Sequence, residues 1–263
     1  MEKPKRFNFQ EDPFVKERFN AVKDSVEELR QEYPEILSVN LFGSLVKGKT
    51  KEESDIDGII YVDTDKIKSE KEIFTIREVD EKENKEFKTI SIEMFLVEEF
   101  YIQYNKIVQD RILEKIPSLK QEQVNHIRSL PMSEDSLNQI LDKLINSKKV
   151  AIDYEKKILS LHPEIRTREE FIKFSNDVEK PERLISTPRL LLGSMFLLEV
   201  GGGIRKYRKQ LIERLLSSGD AGEYIWKDII SYVERWEQKV KYQDLPTEVH
   251  YPRSLEEAKS VFG

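Results

Sequence analysis

The sequence predicts an α+β protein in which a small mixed β-sheet with associated helices is followed by an all-helical domain. In the first half, apolar runs of strand length follow one strongly helical segment. After about residue 130 the apolar residues recur only at helical spacing. We therefore expect two domains, a sheet domain over residues 1–130 and a helical domain over residues 131–263 of this 263-residue chain.

The first half begins with a helix and continues with strands. Asp12 and Pro13 have the residue types of an N-cap and a first helical position, and the helical pattern ends near Tyr33-Pro34. The run SVNLF, which includes Leu41, predicts the first strand. The remaining predicted elements are a strand from Asp55 to Val62, two β runs over 72–79 and 87–97, and a helix over 98–116.

The second half is predicted to contain helices alone. The segment Ser129–Ser133, with Pro131 inside it, indicates a break, after which Ser133 or Asp135 is suited to cap a new helix. Proline and glycine mark short connections between the helices that follow. The predicted helices cover 134–160, 167–178, 188–200, 204–217 and 221–241.

The segment LFGSLVKGKTKEESDID, at 41–57, carries most of the chemical information. It ends in two aspartates, Asp55 and Asp57, at the start of an apolar strand. On a strand, positions i and i+2 share one face. Two adjacent carboxylates repel each other unless a cation lies between them, and oxygen ligands suit Mg²⁺, which also binds substrate phosphates. The pair therefore predicts a site for a metal and a triphosphate.

The Gly-Ser pair in the same segment fits phosphate binding. Gly43 permits a tight turn and a close approach of a ligand to the backbone, and Ser44 offers a hydroxyl and an N–H group. Lys47 lies in the loop, where it can neutralise phosphate charge. The alternative is a hairpin turn followed by a strand that merely begins with acidic residues.

These residues resemble the signature of the polymerase-β-like nucleotidyltransferase superfamily, which is an apolar residue, Gly-Ser, a loop and Asp-x-Asp. Here the signature reads Phe42, Gly43, Ser44 and then Asp55-Ile56-Asp57. The Ser-Asp-Ile-Asp form is similar to that of small antibiotic-modifying members, such as aminoglycoside or lincosamide nucleotidyltransferases. The resemblance implies Mg²⁺ as cofactor and a third carboxylate on a later strand of the same sheet.

The best match to that third carboxylate is Glu93, in the alternating run TISIEMFLV. An acid in the middle of an apolar strand is costly unless it is paired or bound to a metal. An edge-strand glutamate that points to solvent is the alternative. The resemblance implies the first interpretation, with Asp55, Asp57 and Glu93 as catalytic residues and metal ligands.

A basic segment in the second half, GGGIRKYRKQ, is a candidate nucleotide-binding element. If this helix faces the carboxylates, Arg205, Lys206 and Lys209 are placed to bind the triphosphate and Tyr207 to stack on a base. The alternative is a solvated basic face that follows a glycine break.

Composition limits the function classes. The chain is 38% hydrophobic and 36% charged, and it has no apolar run long enough for a membrane span. The segment MEKPKRFNFQED lacks the apolar stretch of a secretory signal, so we expect a cytoplasmic protein. The absence of cysteine excludes disulfides and thiol catalysis. The net charge of −6 disfavours nucleic acid as a partner and favours a cationic small acceptor.

The resulting hypothesis is a Mg²⁺-dependent transfer of an NMP from an NTP, expected to be ATP, to a hydroxyl of a small molecule such as an aminoglycoside, with release of pyrophosphate. Residues 1–130 would form the catalytic domain and residues 131–263 the substrate-binding domain. Antibiotic resistance would be the biological role. Two alternatives stay open: a toxin-like transferase that modifies a protein or tRNA, and a catalytically silent nucleotide-binding regulator.

Overall fold

The computed structural model of the chain describes residues 12–48, 50–67, 102–167, 170, 192–237 and 252–262. Several predicted features lie outside these residues. They are the strands over 72–79 and 87–97 with Glu93, residues 98–101 of one predicted helix, most of the predicted helix 167–178, residues 188–191 of the next, and residues 238–241 at the end of the last.

A mixed four-stranded sheet lies at the centre of the described part, which confirms the predicted fold class. Its strands are β1 (Ile36–Phe42), β2 (Asp57–Asp63), β3 (Ile127–Met132) and β4 (Leu198–Val200), in the order β3-β2-β1-β4. Strand β1 is antiparallel to both β2 and β4, whereas β2 and β3 are parallel.

The two central strands bury side chains on both faces. Val39, Leu41 and Ile60 belong to one apolar core, and their strand neighbours Ile59 and Tyr61 belong to a second core on the opposite face. Helices α1 (Pro13–Glu32) and α3 (Ile102–Lys115) supply the first core. The second core is covered by α4 (Glu134–Leu161), α5 (Arg205–Leu216), α6 (Asp220–Glu237) and α7 (Leu255–Phe262).

Helix α1 forms as its sequence predicts. The Asp12 carboxylate accepts hydrogen bonds from the N–H groups of Phe14 and Val15, and Pro13 occupies the first turn. One face of the helix is buried against the sheet and α3. Glu28 on the other side accepts hydrogen bonds from Arg111 at 3.1 Å and Lys115 at 2.7 Å, and these two pairs join α1 to α3.

Two strands lie where the sequence indicates other structure. The predicted break at 129–133 falls within β3, whose residue Pro131 pairs with Val62. Proline removes one backbone donor, but an outer strand can accommodate it because only one side of the strand must be bonded. The predicted helix 188–200 is wrong at its end, since residues 198–200 form β4 and pair with β1.

Strand β4 is fixed by buried polar contacts that the periodicity of the sequence does not reveal. Asn40 donates a hydrogen bond to the carbonyl oxygen of Ser194 at 2.8 Å, and the hydroxyl groups of Tyr61 and Ser194 are bonded. Glu199 of β4 forms a buried ion pair with Arg208 of α5. These contacts favour pairing with β1 over continuation of a helix.

The helices of the second half therefore pack on the same sheet as those of the first half. Ser133 caps α4 through its hydroxyl, which accepts from the N–H of Ser136 at 3.0 Å. The division into domains at residue 130 stays a prediction, and it would fall inside β3. Within the described residues, none of the helices combines the length and apolar character that a membrane crossing requires.

Hydrogen bonds from α1 and from the 3₁₀ turn Gln121–Val124 hold the loop that precedes β2 in place. The guanidinium of Arg18, which is only 2% exposed, donates to the carbonyl oxygens of Glu52 and Ser54. The side-chain amide of Gln123 donates to the same two oxygens at 2.8 and 3.1 Å. The N–H of Ile56 donates to the Gln123 carbonyl at 2.7 Å. This clamp fixes the backbone immediately before Asp57.

Replacement of Arg18 by Met is expected to lower the free energy of unfolding by about 2–4 kcal/mol, because it removes two charge-assisted hydrogen bonds made by a buried guanidinium. Urea unfolding followed by circular dichroism measures this change. Lys23→Met on the exposed side of α1 is the matched control, with an expected change below about 0.5 kcal/mol. Equal stability of the two variants would contradict the clamp.

Gly203→Ala tests the packing of the turn after β4 against β1. A Cβ atom at this position would lie 2.0 Å from the carbonyl oxygen of Leu37, so we expect a loss of more than about 3 kcal/mol in thermal or urea unfolding. Gly219→Ala is the control. No atom lies within 4 Å of its added Cβ, and only the left-handed backbone at φ +58° costs about 1–2 kcal/mol. A smaller loss at 203 than at 219 would argue against this packing.

Candidate active site

The turn between β1 and the short helix α2 (Gly43–Val46) lies directly against the start of β2. Phe42 pairs with Asp57 across the antiparallel strands, and Gly43 follows with φ +77°. A Cβ atom on Gly43 would lie 1.9 Å from Oδ2 of Asp57. Glycine is thus required both for the backbone conformation and for the approach of the carboxylate. The predicted Gly-Ser turn and the second aspartate are brought together.

Asp57 is partly buried, and its charge is only partly compensated. Burial raises the pKa of this carboxyl above its ordinary value, and the repulsion from Asp55 adds to that rise. His126 and Lys47 act in the opposite direction without reversing it. A carboxylate that is costly to ionise, beside a second carboxylate, suits a bound divalent cation, because such an ion offsets both the burial and the repulsion.

Asp55 and Asp57 are therefore the described residues that fit a metal. The third predicted ligand, Glu93, lies outside the described residues. Within the part of the chain that the structure describes, no group of three acidic or histidine side chains is arranged to hold a metal ion. Oxygen ligands from two carboxylates match the preference of Mg²⁺, which commonly takes its other ligands from water and substrate phosphates.

His126 is a site residue that the sequence did not indicate. Its Nε2 atom lies 3.6 Å from Oδ2 of Asp55, and its carbonyl oxygen accepts from the N–H of Gly58 at 3.5 Å. The following residue, Ile127, begins β3 and pairs with Gly58. Recognising His126 requires recognising β3, which Pro131 hides in the sequence.

Ser44 and Lys47 belong to the segment that follows the glycine turn, and their role in nucleotide binding stays a prediction. Ser44 follows Gly43 in α2, and Lys47 ends that helix, with its N–H donating to the carbonyl oxygen of Gly43 at 3.2 Å. The charge of Lys47 acts on Asp57. The side chain is thus placed to meet an anionic group bound near that carboxylate.

Tyr207 does not offer its ring to a nucleotide base, contrary to the prediction. Its side chain is fully buried in the second core, on helix α5. Burial, with the nearby charges of Asp63, Asp65 and Glu134, raises the pKa of its hydroxyl to about 12. Tyr207 occupies a position on the apolar face of α5, so the spacing that suggested stacking reflects core packing.

The basic residues of α5 lie at the far end of the sheet from Asp57. Tyr207 is close to Asp63, which is six residues along β2 and thus roughly 20 Å away from Asp57. Gly203, just before the helix, contacts the backbone of Leu37 at the beginning of β1. Arg205, Lys206 and Lys209 are therefore not assembled with the carboxylates. The glycine break and basic face match the alternative of a solvated helix surface.

Comparison with known proteins identifies the first half of the chain. Residues 22–129 match the family model described as a nucleotidyltransferase domain. The match begins in α1 and ends in β3, so it includes the Gly-Ser turn, both aspartates and His126, and it excludes β4 and α5. No curated protein and no solved structure shows significant similarity to the chain.

The match implies an NTP substrate and the transfer of an NMP group, and it does not distinguish antibiotic-modifying members from others. The paired strands, the glycine turn and the adjacent aspartates agree with the features by which the sequence resembles this superfamily. Residues 22–129 are thus similar to nucleotidyltransferase domains, and this similarity supports a nucleotidyl-transferring enzyme.

Proposed function

We propose that the protein transfers an NMP from an NTP, with ATP as the first candidate, to a hydroxyl group of a small molecule in a Mg²⁺-dependent reaction. The observation that carries this proposal is the Asp57 carboxylate, which is held against Gly43 beside Asp55 with its charge incompletely compensated. Such a carboxylate pair is suited to bind the cation that accompanies a triphosphate.

Asp55 and Asp57 would hold Mg²⁺, and Glu93 remains the proposed third ligand. When bound, the ion would neutralise charge on the α-phosphate and on the leaving pyrophosphate. The chain itself supplies the positions of the two carboxylates. Strand pairing fixes Asp57, and the Arg18 clamp fixes the loop that bears Asp55.

Lys47 and the backbone of the Gly43-Ser44 turn are proposed to face the phosphates. Lys47 supplies positive charge close to Asp57, and the glycine leaves room for a close approach of the triphosphate to the chain. The acceptor hydroxyl would attack the α-phosphorus in line with the departing pyrophosphate. The helical region after residue 130 is proposed to form part of the acceptor pocket.

Asp57→Asn is expected to lower the rate of NMP transfer by about 10²–10³-fold, the order found when one preorganised group that stabilises a transition state is removed. The measurement is pyrophosphate release from ATP and Mg²⁺ with an acceptor panel, supported by mass analysis of the acceptor. Asp65→Asn, an equal change in charge beyond the opposite end of β2, is the control and should retain activity. Unchanged turnover of Asp57→Asn would refute the assignment.

The same variant has a second expected effect, on stability without metal. Because the pKa of Asp57 is raised in the folded protein, the native state binds more protons than the unfolded chain, and stability falls as pH rises through that pKa. In EDTA, Asp57→Asn should therefore exceed the parent in melting temperature at pH 7–8, with a smaller difference near pH 4. Thermal unfolding across this pH range tests it. A variant that melts below the parent at pH 8 would contradict the electrostatic argument.

A further inference from the structure

A polar cavity of about 350 Å³ lies between α3, the Gln121–Val124 turn and strand β3. This volume is within the range of small-ligand sites. We call it the β3 cavity. The residues that line it are Asn105, Lys106, Gln109, Gln121, Asn125 and Arg128.

Three amide oxygens in the wall of the β3 cavity accept hydrogen bonds from neighbouring side chains. Oδ1 of Asn105 accepts from the Ser129 hydroxyl, Oε1 of Gln109 accepts from Gln121 at 3.1 Å, and Oδ1 of Asn125 accepts from Gln121 at 3.2 Å. Gln109 in turn donates to the carbonyl oxygen of Ile127 at 3.1 Å. The NH₂ groups of Asn105 and Asn125 make no hydrogen bond to another described residue, nor does Oε1 of Gln121, so this wall offers a ligand more donor groups than acceptor groups.

One of these donor groups, the NH₂ of Asn105, belongs to a buried residue. Asn105 is only 4% exposed, and its NH₂ group makes no hydrogen bond to any other described residue. An amide donor of a largely buried residue that has no protein partner is available to a ligand or water that enters the cavity. The cavity is therefore prepared for a hydrogen-bond acceptor.

The charged residues of the β3 cavity also favour a ligand that accepts hydrogen bonds and carries negative charge. Among the described lining residues, the charged ones are Lys106 and Arg128, and both are cationic. Lys106 is held by Asp110, which is outside the lining, at 2.7 Å. Arginine with neighbouring amide donors is an arrangement suited to phosphate or carboxylate oxygens.

The β3 cavity borders the proposed catalytic site. Arg128 is two residues along β3 from His126, on the same strand face and thus roughly 7 Å away, and the His126 imidazole lies 3.6 Å from Asp55. A ligand in the cavity can therefore extend past β3 toward the carboxylates. An anionic group of the acceptor is the natural occupant, since the triphosphate is assigned to the Gly43 turn.

We propose that the β3 cavity binds an anionic group, phosphate or carboxylate, of the acceptor molecule. This inference rests on the proposed function and specifies its substrate class. It replaces the expectation of a polycationic acceptor such as an aminoglycoside, which rested on the net charge of −6. The acceptor thus carries both a hydroxyl and an anionic group.

Isothermal titration of the 263-residue chain, with Mg²⁺ and α,β-methylene-ATP present to fill the nucleotide site, tests this proposal. Glycerol 3-phosphate is the small probe and a ten-residue single-stranded RNA is the polymeric one. We expect one equivalent of probe to bind. Asn105→Asp, which keeps the oxygen that accepts from Ser129, and Arg128→Gln should each raise the dissociation constant about tenfold or more.

Lys120→Gln is the matched control, since it removes one exposed positive charge from the same region without lining the cavity. It should bind the probes as the parent does. Circular dichroism and melting temperature confirm that each variant is folded, and Arg128→Gln carries the test if Asn105→Asp is not. Binding of glycerol 3-phosphate identifies a small acceptor, whereas binding of the RNA alone identifies a phosphate of nucleic acid.

Three results would overturn the proposal: binding of neither probe, equal binding by the parent and both cavity variants, or variant-sensitive binding of kanamycin instead of the anions. A separate titration of α,β-methylene-ATP into Asp57→Asn distinguishes these results from failure of the proposed function. If the analogue binds equally to Asp57→Asn and the parent, the nucleotide site is misassigned. Probe binding in the β3 cavity is judged independently, by its dependence on Asn105 and Arg128.

Discussion

The constraint on which the site depends is that a partly buried carboxylate must stay beside a second one. Asp57 is held by strand pairing with Phe42 and contacts the backbone of Gly43 closely enough to exclude any larger residue. Burial and Asp55 both disfavour its charge. An unsupported chain would relieve this by moving one side chain into water. The clamp formed by Arg18 and Gln123 on the preceding loop restricts that movement, so the unfavourable electrostatics are retained in the folded protein, as the proposed cation site requires.

The sheet itself also holds the two aspartates in position. Strands β1 and β2 are covered on both faces, so displacement of either disturbs two apolar cores at once. The second core is built largely from helices after residue 133, and β4 adds a strand from the same part of the chain. The family match ends in β3, yet the sheet that carries its aspartates requires residues far beyond that point. The stability of the region that carries the two aspartates therefore depends on both halves of the chain.

What the sequence reveals depends on whether a signal is local. The cap of α1, the first two strands and the Gly43 turn follow from adjacent residues, and the structure agrees with each. Strand β3 contains a proline that indicates a break, and only its pairing with β2 explains why that proline is tolerated. For helix α5 the error is of the opposite kind, because local residues suggested a function that long-range packing does not support. Its basic residues and tyrosine suggested a ligand surface, whereas long-range packing buries Tyr207 and places the helix at the other end of β2.

The distinction between local and long-range information also applies to charge. The net charge of −6 sums groups over the whole surface, while a ligand responds to those within about a Debye length, roughly 8–10 Å. Exposed carboxylates such as Glu28 and Glu32 are paired with Arg111 on the α1–α3 surface and contribute little to a field elsewhere. Among the described residues that line the β3 cavity, the charged ones are Lys106 and Arg128, with Asp110 paired to Lys106 outside the lining. Total charge and local charge therefore favour opposite acceptors, and the proposal of an anionic acceptor follows the local charges because solvent screens distant charges more strongly than close contacts.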